Sequence, residues 1–383
     1  MSLLRKYWLL IFFSWIIVAG NAQSQKQLKN WELSPFVKVD SINPILQPNK
    51  ESKFLGPIRG SIVRWEGKDV FNPAAIVKDG KVYLLYRAED FVGKYHGTSR
   101  IGLAVSNDGL HFERFPEPVL YPQNDDMKKF EWEGGCEDPR IVEDKNGVYY
   151  LTYTAYDGQK ARLFIATSTD LLKWDKHGSV FEKAYNGKYS RVWSKAGSIV
   201  CKRDGDHLIA TKVNGKYWMY FGESDIFLAH SDDLINWTPV ERDSKSGMGE
   251  IKGHSKEVPD LLPVMKTRKN KFDSGLVECG PPAIVTNDGI LLIYNSMNSG
   301  ETGDPSLAPK TYAAGQALFD INNPEKLIAR SDSTFFKPEK PYEVDGQVNY
   351  VCFLEGLVHF KGKWFMYYGT ADSKIAVAVT KPR

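Results

Sequence analysis

Cysteine is scarce in this chain, with four among 383 residues at positions 136, 201, 279 and 352, and none of them forms a Cys-x-x-Cys pair. A zinc ribbon or a dithiol redox centre is excluded on that spacing, and the simplest role for each thiol is that of a small buried hydrophobe. Export would permit disulfides, but the spacing selects no pairing. Histidine is also sparse, at 7, and no His-x-x-x-His occurs, so neither a metal nor any other cofactor is expected. There is no large excess of charge of one sign. The formal net charge is +3, and it becomes +1 once Arg5 and Lys6 are set aside, which leaves little to neutralise phosphates; nucleic acid is not an expected partner. Long apolar runs are missing too. The run from Tyr7 to Val18 is about a dozen residues where roughly 20 would span a bilayer. With Arg5 and Lys6 before it and Ala19-Gly20-Asn21-Ala22 after it, residues 1–22 read as a secretory signal cleaved before Gln23. No cysteine stands there to accept a lipid, so a secreted or periplasmic protein without membrane insertion is expected. No Ser/Gly-rich or Pro-rich linker divides the remainder, and residues 23–383 read as a single domain.

What the chain does have is turns and aromatic strands: 32 glycines, 20 prolines, 13% aromatic and 42% hydrophobic residues. A turn ending in glycine and followed by an aromatic-rich strand recurs five times, at Gly80 to Tyr86, Gly147 to Tyr153, Gly215 to Tyr220, Gly289 to Tyr294 and Gly362 to Tyr367, at intervals of 67, 68, 74 and 73 residues. Turn formers such as Asp79, Asn146, Asn214 and Asp288 precede the first four glycines, as tight hairpins require. A second element keeps phase with the first: Ser106 to Phe112, Ser168 to Trp174 and Ser231 to Trp237, each with an aspartate at its third position. Units of about 70 residues with several short strands and no amphipathic helix predict an all-β chain, a five-bladed β-propeller, over a sandwich or barrel that would not explain the period.

In a propeller, equivalent ends of the inner strands converge on the axis. The residues flanking the hairpins there include Asn72, Asp138, Asp206, Glu278 and Glu355 before the turns, and Arg87, Asp157, Glu223, Asn295 and Asp372 after them. So many carboxylates and amides at corresponding places point to a sugar-binding, acid–base site. The run Gly135-Cys136-Glu137-Asp138-Pro139-Arg140 is the most informative of these, because the proline biases Asp138 towards an extended backbone and puts Arg140 on the same side of the strand.

Together these segments resemble glycoside hydrolase family 130, the five-bladed mannoside phosphorylases and mannosidases. The resemblance rests on Trp65-Glu66, Phe71-Asn72-Pro73, Tyr86-Arg87-Ala88, Gly135 to Ile141, Tyr153 to Gly158, Gly280-Pro281-Pro282 and Tyr367 to Asp372, in one order and at blade spacing. It implies that Asp138 is the general acid, acting in the phosphorylases through a sugar hydroxyl, and that the reaction inverts the anomeric centre. An acid in that role needs a raised pKa or a hydroxyl relay. The chain departs from the phosphorylase pattern where phosphate-binding cations are expected: it reads Tyr220-Phe221-Gly222-Glu223 and Tyr294-Asn295-Ser296, and it carries Glu278 before Cys279-Gly280. Two carboxylates in place of cations repel a phosphate dianion and can polarise a water.

The resemblance thus implies an inverting exo-β-mannosidase, acting on β-1,2-linked mannosides of mannan-type glycans, with Asp138 as acid and Glu223 and Glu278 as base. Asn72, Arg87, Arg140, Asp157, Asn295, Glu355 and Asp372 are the expected ligands of the mannose-containing oligosaccharide, Arg87 and Arg140 alternatively being structural partners of carboxylates. A phosphorylase using inorganic phosphate and a non-catalytic glycan-binding propeller are the alternatives. Linkage preference is not written in composition or spacing.

Overall fold

The computed structural model describes residues 31–33, 35–243 and 260–381. The expected signal, residues 1–22, lies outside the described residues. The described chain is almost wholly β-structure arranged as five antiparallel sheets, the blades of a five-bladed propeller. Its only α-helices among the described residues are two four-residue turns, Lys128–Glu131 and Pro341–Val344.

Each blade is a four-stranded meander. The first comprises Asp69–Lys78, Lys81–Glu89, Ser99–Ser106 and Glu113–Arg114; the second Gly135–Glu143, Tyr149–Tyr156, Ala161–Ser168 and Asp175–Ser179. The third comprises Ser198–Ile199, Tyr217–Phe221, Ile226–Ser231 and Trp237–Pro239. In the fourth the inner strand is broken into Leu276–Cys279 and Ile284–Val285 by Gly280-Pro281-Pro282, and is followed by Ile290–Met297, Tyr312–Phe319 and Leu327–Arg330. The fifth takes Cys352–Phe360, Lys363–Thr370 and Lys374–Thr380 from the end of the chain and its fourth strand, Phe36–Lys38, from the beginning, with Val37 opposite Val379.

The glycine repeat has a conformational cause. In blades one, three and five the hairpin connections Asp79-Gly80, Asn214-Gly215 and Lys361-Gly362 have positive φ at both residues, as a two-residue turn matched to strand twist requires. The serine–aspartate repeat has another cause. Asp108, Asp170 and Asp233 each accept two backbone N–H groups of their own turn, and Ser106, Ser168 and Ser231 accept two more.

In four blades a second-strand tyrosine is part of a buried latch: the repeated one in blades one, two and four, and in blade five Tyr368, the neighbour of the repeated Tyr367, whose own hydroxyl donates to the Gly109 carbonyl. Tyr86, Tyr153, Tyr294 and Tyr368 donate their hydroxyls to Glu66, Glu131, Asp273 and Glu343 at 2.8–2.9 Å. Each of these carboxylates also pairs with a cation on the fourth strand of the same blade: Arg114, Lys176, Arg330 and Lys38 at 2.6–3.0 Å. A buried carboxylate is tolerable only when paired and hydrogen-bonded, and here the pairing ties the second strand to the outermost one. Among the described residues blade three shows no such latch; its Tyr220 donates to the Pro324 carbonyl.

The channel has one built-in obstruction. The hairpin Cys201–Asp204 and His207–Ala210 pairs in parallel with Glu143 of blade two and Ile284 of blade four. Its tip residues bond to blades two and five, His207 to Glu143 and Asp206 to His359, both at 2.8 Å. These contacts lie at the hairpin-turn ends of the inner strands. Asp206, placed by the repeat among residues converging on the site, is instead part of this closure because the third inner strand is interrupted by the extra hairpin.

Candidate active site

At the opposite ends of the inner strands, Phe71, Asn72, Arg87, Asp138, Lys195, Glu223, Glu278, Tyr312, Val348, Val351, Phe353 and Asp372 line a cavity of about 510 Å³, part of it open to solvent. Two of its polar groups, Asn72 and Asp138, are presented by bulges. The register of blade one skips Asn72 between Phe71 and Pro73, and that of blade two skips between Glu137 and Arg140. Asn72 and Asp138 have φ of 48° and 47°, so the extended backbone expected for Asp138 is replaced by a left-handed one. That conformation costs a non-glycine residue on the order of 1 kcal/mol or more, and a bulge that re-aims a side chain is where such strain is found. The two bulges meet: Asn72 Nδ2 donates to Asp138 Oδ1 at 2.9 Å. Gly369 makes the approach possible, since a Cβ there would lie 2.4 Å from Asn72 Oδ1.

Asp138 is 3% exposed and surrounded by cations. Arg87 Nη1 donates to its Oδ1 at 3.1 Å, and Lys195 Nζ stands 3.5 Å from Oδ2. Burial alone would raise its pKa, but Arg87, Lys195, Arg140 and the Asn72 hydrogen bond together hold it well below the usual carboxylate range. The raised pKa expected for a resident acid is therefore not found at Asp138. The neighbouring carboxylate is the one raised. Glu137 accepts from Arg87 Nη2 at 2.9 Å, and burial, outweighing Arg87, pushes its pKa up to about 7. Arg87 also bonds Glu89 at 2.7 Å, so one guanidinium serves three carboxylates.

Across the cavity, Glu223 and Glu278 are joined by an antiparallel backbone bridge between blades three and four. Trp193 Nε1 donates to Glu223 Oε2 at 2.9 Å. Glu278 is 3% exposed and its Oε1 has no hydrogen-bond partner, although Lys195 Nζ and Arg140 Nη2 both lie 3.9 Å away. Burial raises its pKa to about 7 against the pull of Lys195. One ammonium thus faces both Asp138 and Glu278. Asp138 Oδ2 and Glu278 Oε1 can be no farther apart than those two legs combined, a bound that admits both the roughly 5–5.5 Å spacing of retaining and the lower part of the roughly 6.5–9.5 Å spacing of inverting glycosidases. Asp372, on blade five, is likewise raised to about 7 by burial.

Of the seven residues expected to touch sugar, Asn72, Arg87 and Asp372 line the cavity and the other four do not. Arg140 spends its guanidinium on the carbonyls of Gly280, Asp138 and Cys279 and on Glu355 at 3.0 Å, bracing the Asp138 bulge against blade four. Glu355 is fully buried behind it, in a bulge of blade five, and burial pushes its pKa well up. Asn295 uses both ends of its amide on the backbone of Leu354, stapling blade four to blade five. Asp157 caps its own turn through Gln159 and Lys160 and pairs with Arg162 at 2.8 Å. Sequence reasoning missed Lys195 and Tyr312. Lys195 lies just ahead of the short third inner strand, where the repeat offers no equivalent residue to align it with. All four cysteines are free and buried.

A five-bladed propeller with carboxylates on both sides of a polar cavity is suited to acid–base work on a glycosidic bond. Family comparison makes this specific: the model for glycoside hydrolase family 130, described as beta-1,4-mannooligosaccharide phosphorylase, matches residues 53–383, and the chain belongs to that family. A 1,2-beta-oligomannan phosphorylase of Thermoanaerobacter sp. (strain X514) is 32% identical over 348 residues, 88% of this chain and 95% of the relative. A solved glycosyl hydrolase from Bacteroides ovatus is 44% identical with a TM-score of 0.87, covering 93% of this chain and 96% of that one. A third relative, 45% identical with a TM-score of 0.87 over 93% and 96% of the chains, comes from work describing GH130 mannoside phosphorylases that include glycoside hydrolases targeting beta-1,2 mannosidic linkages in Candida mannan.

Proposed function

We propose that this protein is an inverting exo-β-mannosidase that hydrolyses β-1,2-linked mannosides of mannan-type oligosaccharides. The observation that carries the reading is the pairing of Glu223 and Glu278 at the cavity wall, with Glu278 buried, one oxygen unpartnered and a pKa of about 7. A base poised near the working pH is suited to taking a proton from water. A phosphate dianion there would meet two carboxylates, and of the cavity's two cations Arg87 is already engaged by three others. The relationship to a structure from work on hydrolases of β-1,2 mannosidic linkages supports the substrate class.

In this mechanism water attacks the anomeric carbon from the Glu223/Glu278 side and gives its proton to that pair as the bond to the leaving oxygen breaks. Asp138 delivers a proton to that oxygen, directly or through a sugar hydroxyl. Because its cations hold Asp138 well below the usual carboxylate range while Glu137 is raised to about 7, the proton shared by the Glu137–Asp138 pair has to reach Asp138 before cleavage. Asn72, Arg87 and Asp372 contact the sugar hydroxyls. The N-terminal apolar segment supports export to the periplasm or beyond.

A second reading, phosphorolysis, is favoured by the names of the curated relatives and by Lys195 in the cavity. Incubation with β-1,2-mannobiose with and without phosphate separates the two. Mannose released at an undiminished rate without phosphate is the expected result; strict phosphate dependence with mannose 1-phosphate as product refutes hydrolysis. The non-catalytic alternative predicts no turnover in either condition.

A further inference from the structure

The segment Trp193–Lys195 touches all three carboxylates given a chemical role. Trp193 donates to Glu223, and the Lys195 carbonyl accepts the N–H of Gly222, the residue before Glu223, at 2.9 Å. The Lys195 side chain, 16% exposed, then reaches between Asp138 of blade two and Glu278 of blade four. At 3.5 and 3.9 Å these are ion-pair distances longer than an ordinary N–H···O bond, so the ammonium is held by charge while facing the cavity.

We propose that Lys195 is a positioning residue for hydrolysis: its ammonium, supplied by blade three, sets the spacing and the charge state of Asp138 and Glu278 as one unit. The proposal rests on the hydrolytic reading above. The latch lysines Lys38 and Lys176 are each tied at 2.6 Å to one buried carboxylate, whereas Lys195 makes no ion pair that short and stands between two carboxylates at the cavity wall, so its charge is shared between them. The groups facing it are Glu278, Glu223, Asp138 and Glu137. Glu278 in turn faces Lys195, Glu223, Arg140 and Asp138, while Asp138 faces Arg87, Lys195 and Arg140. From blade five, Glu355 and Asp372 sense both Asp138 and Lys195, and Tyr312 of blade four faces Glu278, Asp372, Glu223 and Lys195. Removing its positive charge raises the pKa of Glu278, Asp138 and Glu137, each of which Lys195 lowers. The base then ionises at higher pH and the acid keeps its proton to higher pH, so both limbs of the activity profile move the same way.

The test is the pH dependence of kcat/KM for β-1,2-mannobiose in phosphate-free buffer, for the wild type, Lys195→Met and Lys195→Arg. For the methionine variant kcat should fall about 100-fold with KM changed only a few-fold, and the whole profile should move up by about one pH unit or more, the effect of an opposite charge at this range. Lys195→Arg should keep the profile near its original position. A methionine variant whose profile stays in place whatever its rate, or whose defect lies in KM alone, overturns the proposal. If that variant does not fold, Lys195→Gln is read by the same criterion. Strict phosphate dependence of the wild type overturns the hydrolytic reading and this role with it; a phosphate-independent wild type beside an unmoved variant profile overturns the role of Lys195 alone.

Discussion

Replacing Glu278 by glutamine should make the protein more stable at alkaline pH and no more stable at acid pH. In the fold, burial raises Glu278 from its ordinary 4.5 to about 7, so the folded state binds a proton that the unfolded chain has already released between those values. The stability associated with that proton is complete below about pH 4.5 and is lost as the pH rises through 7, after which an ionised carboxylate is held in a place that disfavours it. At 1.36 kcal/mol per pH unit the penalty above pH 8 is roughly 3 kcal/mol. Glutamine keeps the shape without the charge, and Lys195 retains Asp138, Glu137 and Glu223 as neighbours. With an unfolding entropy of about 2.1 cal/mol/K per residue, removing the penalty should raise Tm by roughly 3–4 °C at pH 8.5. At pH 4.5 the variant and the wild type should melt together within about a degree. Circular dichroism melts at both values, in buffers of matched ionic strength, provide the assay. A variant less stable than the wild type at pH 8.5, or equally stabilised at both pH values, would show that Glu278 is a net anchor of the fold and that burial does not dominate its titration.

Further outcomes follow from the same groups. With the base Glu278 and Glu137 both near 7, kcat/KM should show a narrow optimum close to neutrality, falling on the acid side as Glu278 protonates and on the alkaline side as the Glu137–Asp138 pair loses its proton; a flat plateau from pH 5 to 9 counts against these assignments. Asp138→Asn should lower kcat by about 10²- to 10⁴-fold with the circular dichroism spectrum unchanged, measured by mannose release; retention of more than a tenth of the activity refutes its role as acid. Lys38→Met leaves the Glu343 carboxylate, fully buried, without its cation, and should cost about 3–5 kcal/mol and lower Tm by roughly 4–7 °C; a thermal shift below one degree refutes the latch as a stabilising device.

The blade count was legible because two local demands recur in every unit: a positive-φ hairpin glycine and a tyrosine on the second strand. The carboxylate and cation that complete the latch were less visible, since Glu66 and Arg114, or Glu343 and Lys38, lie far apart in the chain. Phe36–Lys38 is too short a strand to announce itself and gains its identity only by pairing with Lys374–Thr380. At the site, Asp138 and Asn72 were recognisable by their prolines, but not the left-handed bulges that turn them towards each other. Position along a repeat puts a residue near the axis without fixing where its side chain is spent. Arg140, Asn295 and Glu355 reach the neighbourhood of the cavity and are consumed in holding its walls, whereas Lys195 reaches it from a segment with no repeat partner.

The hairpin at residues 201–210 bears on how the enzyme would work along a polymer. It bridges blades two, four and five at the turn ends of the inner strands, the side away from the cavity, which places backbone across the axis where a through-channel would have to run. A glycan chain cannot thread through an axis crossed in this way, and a released sugar has to leave by the side from which the chain end came in. If the chain hydrolyses mannan-type glycans as proposed, the shortened chain must back out before another unit can be seated, and cleavage should be distributive, with intermediates of every length accumulating in a time course.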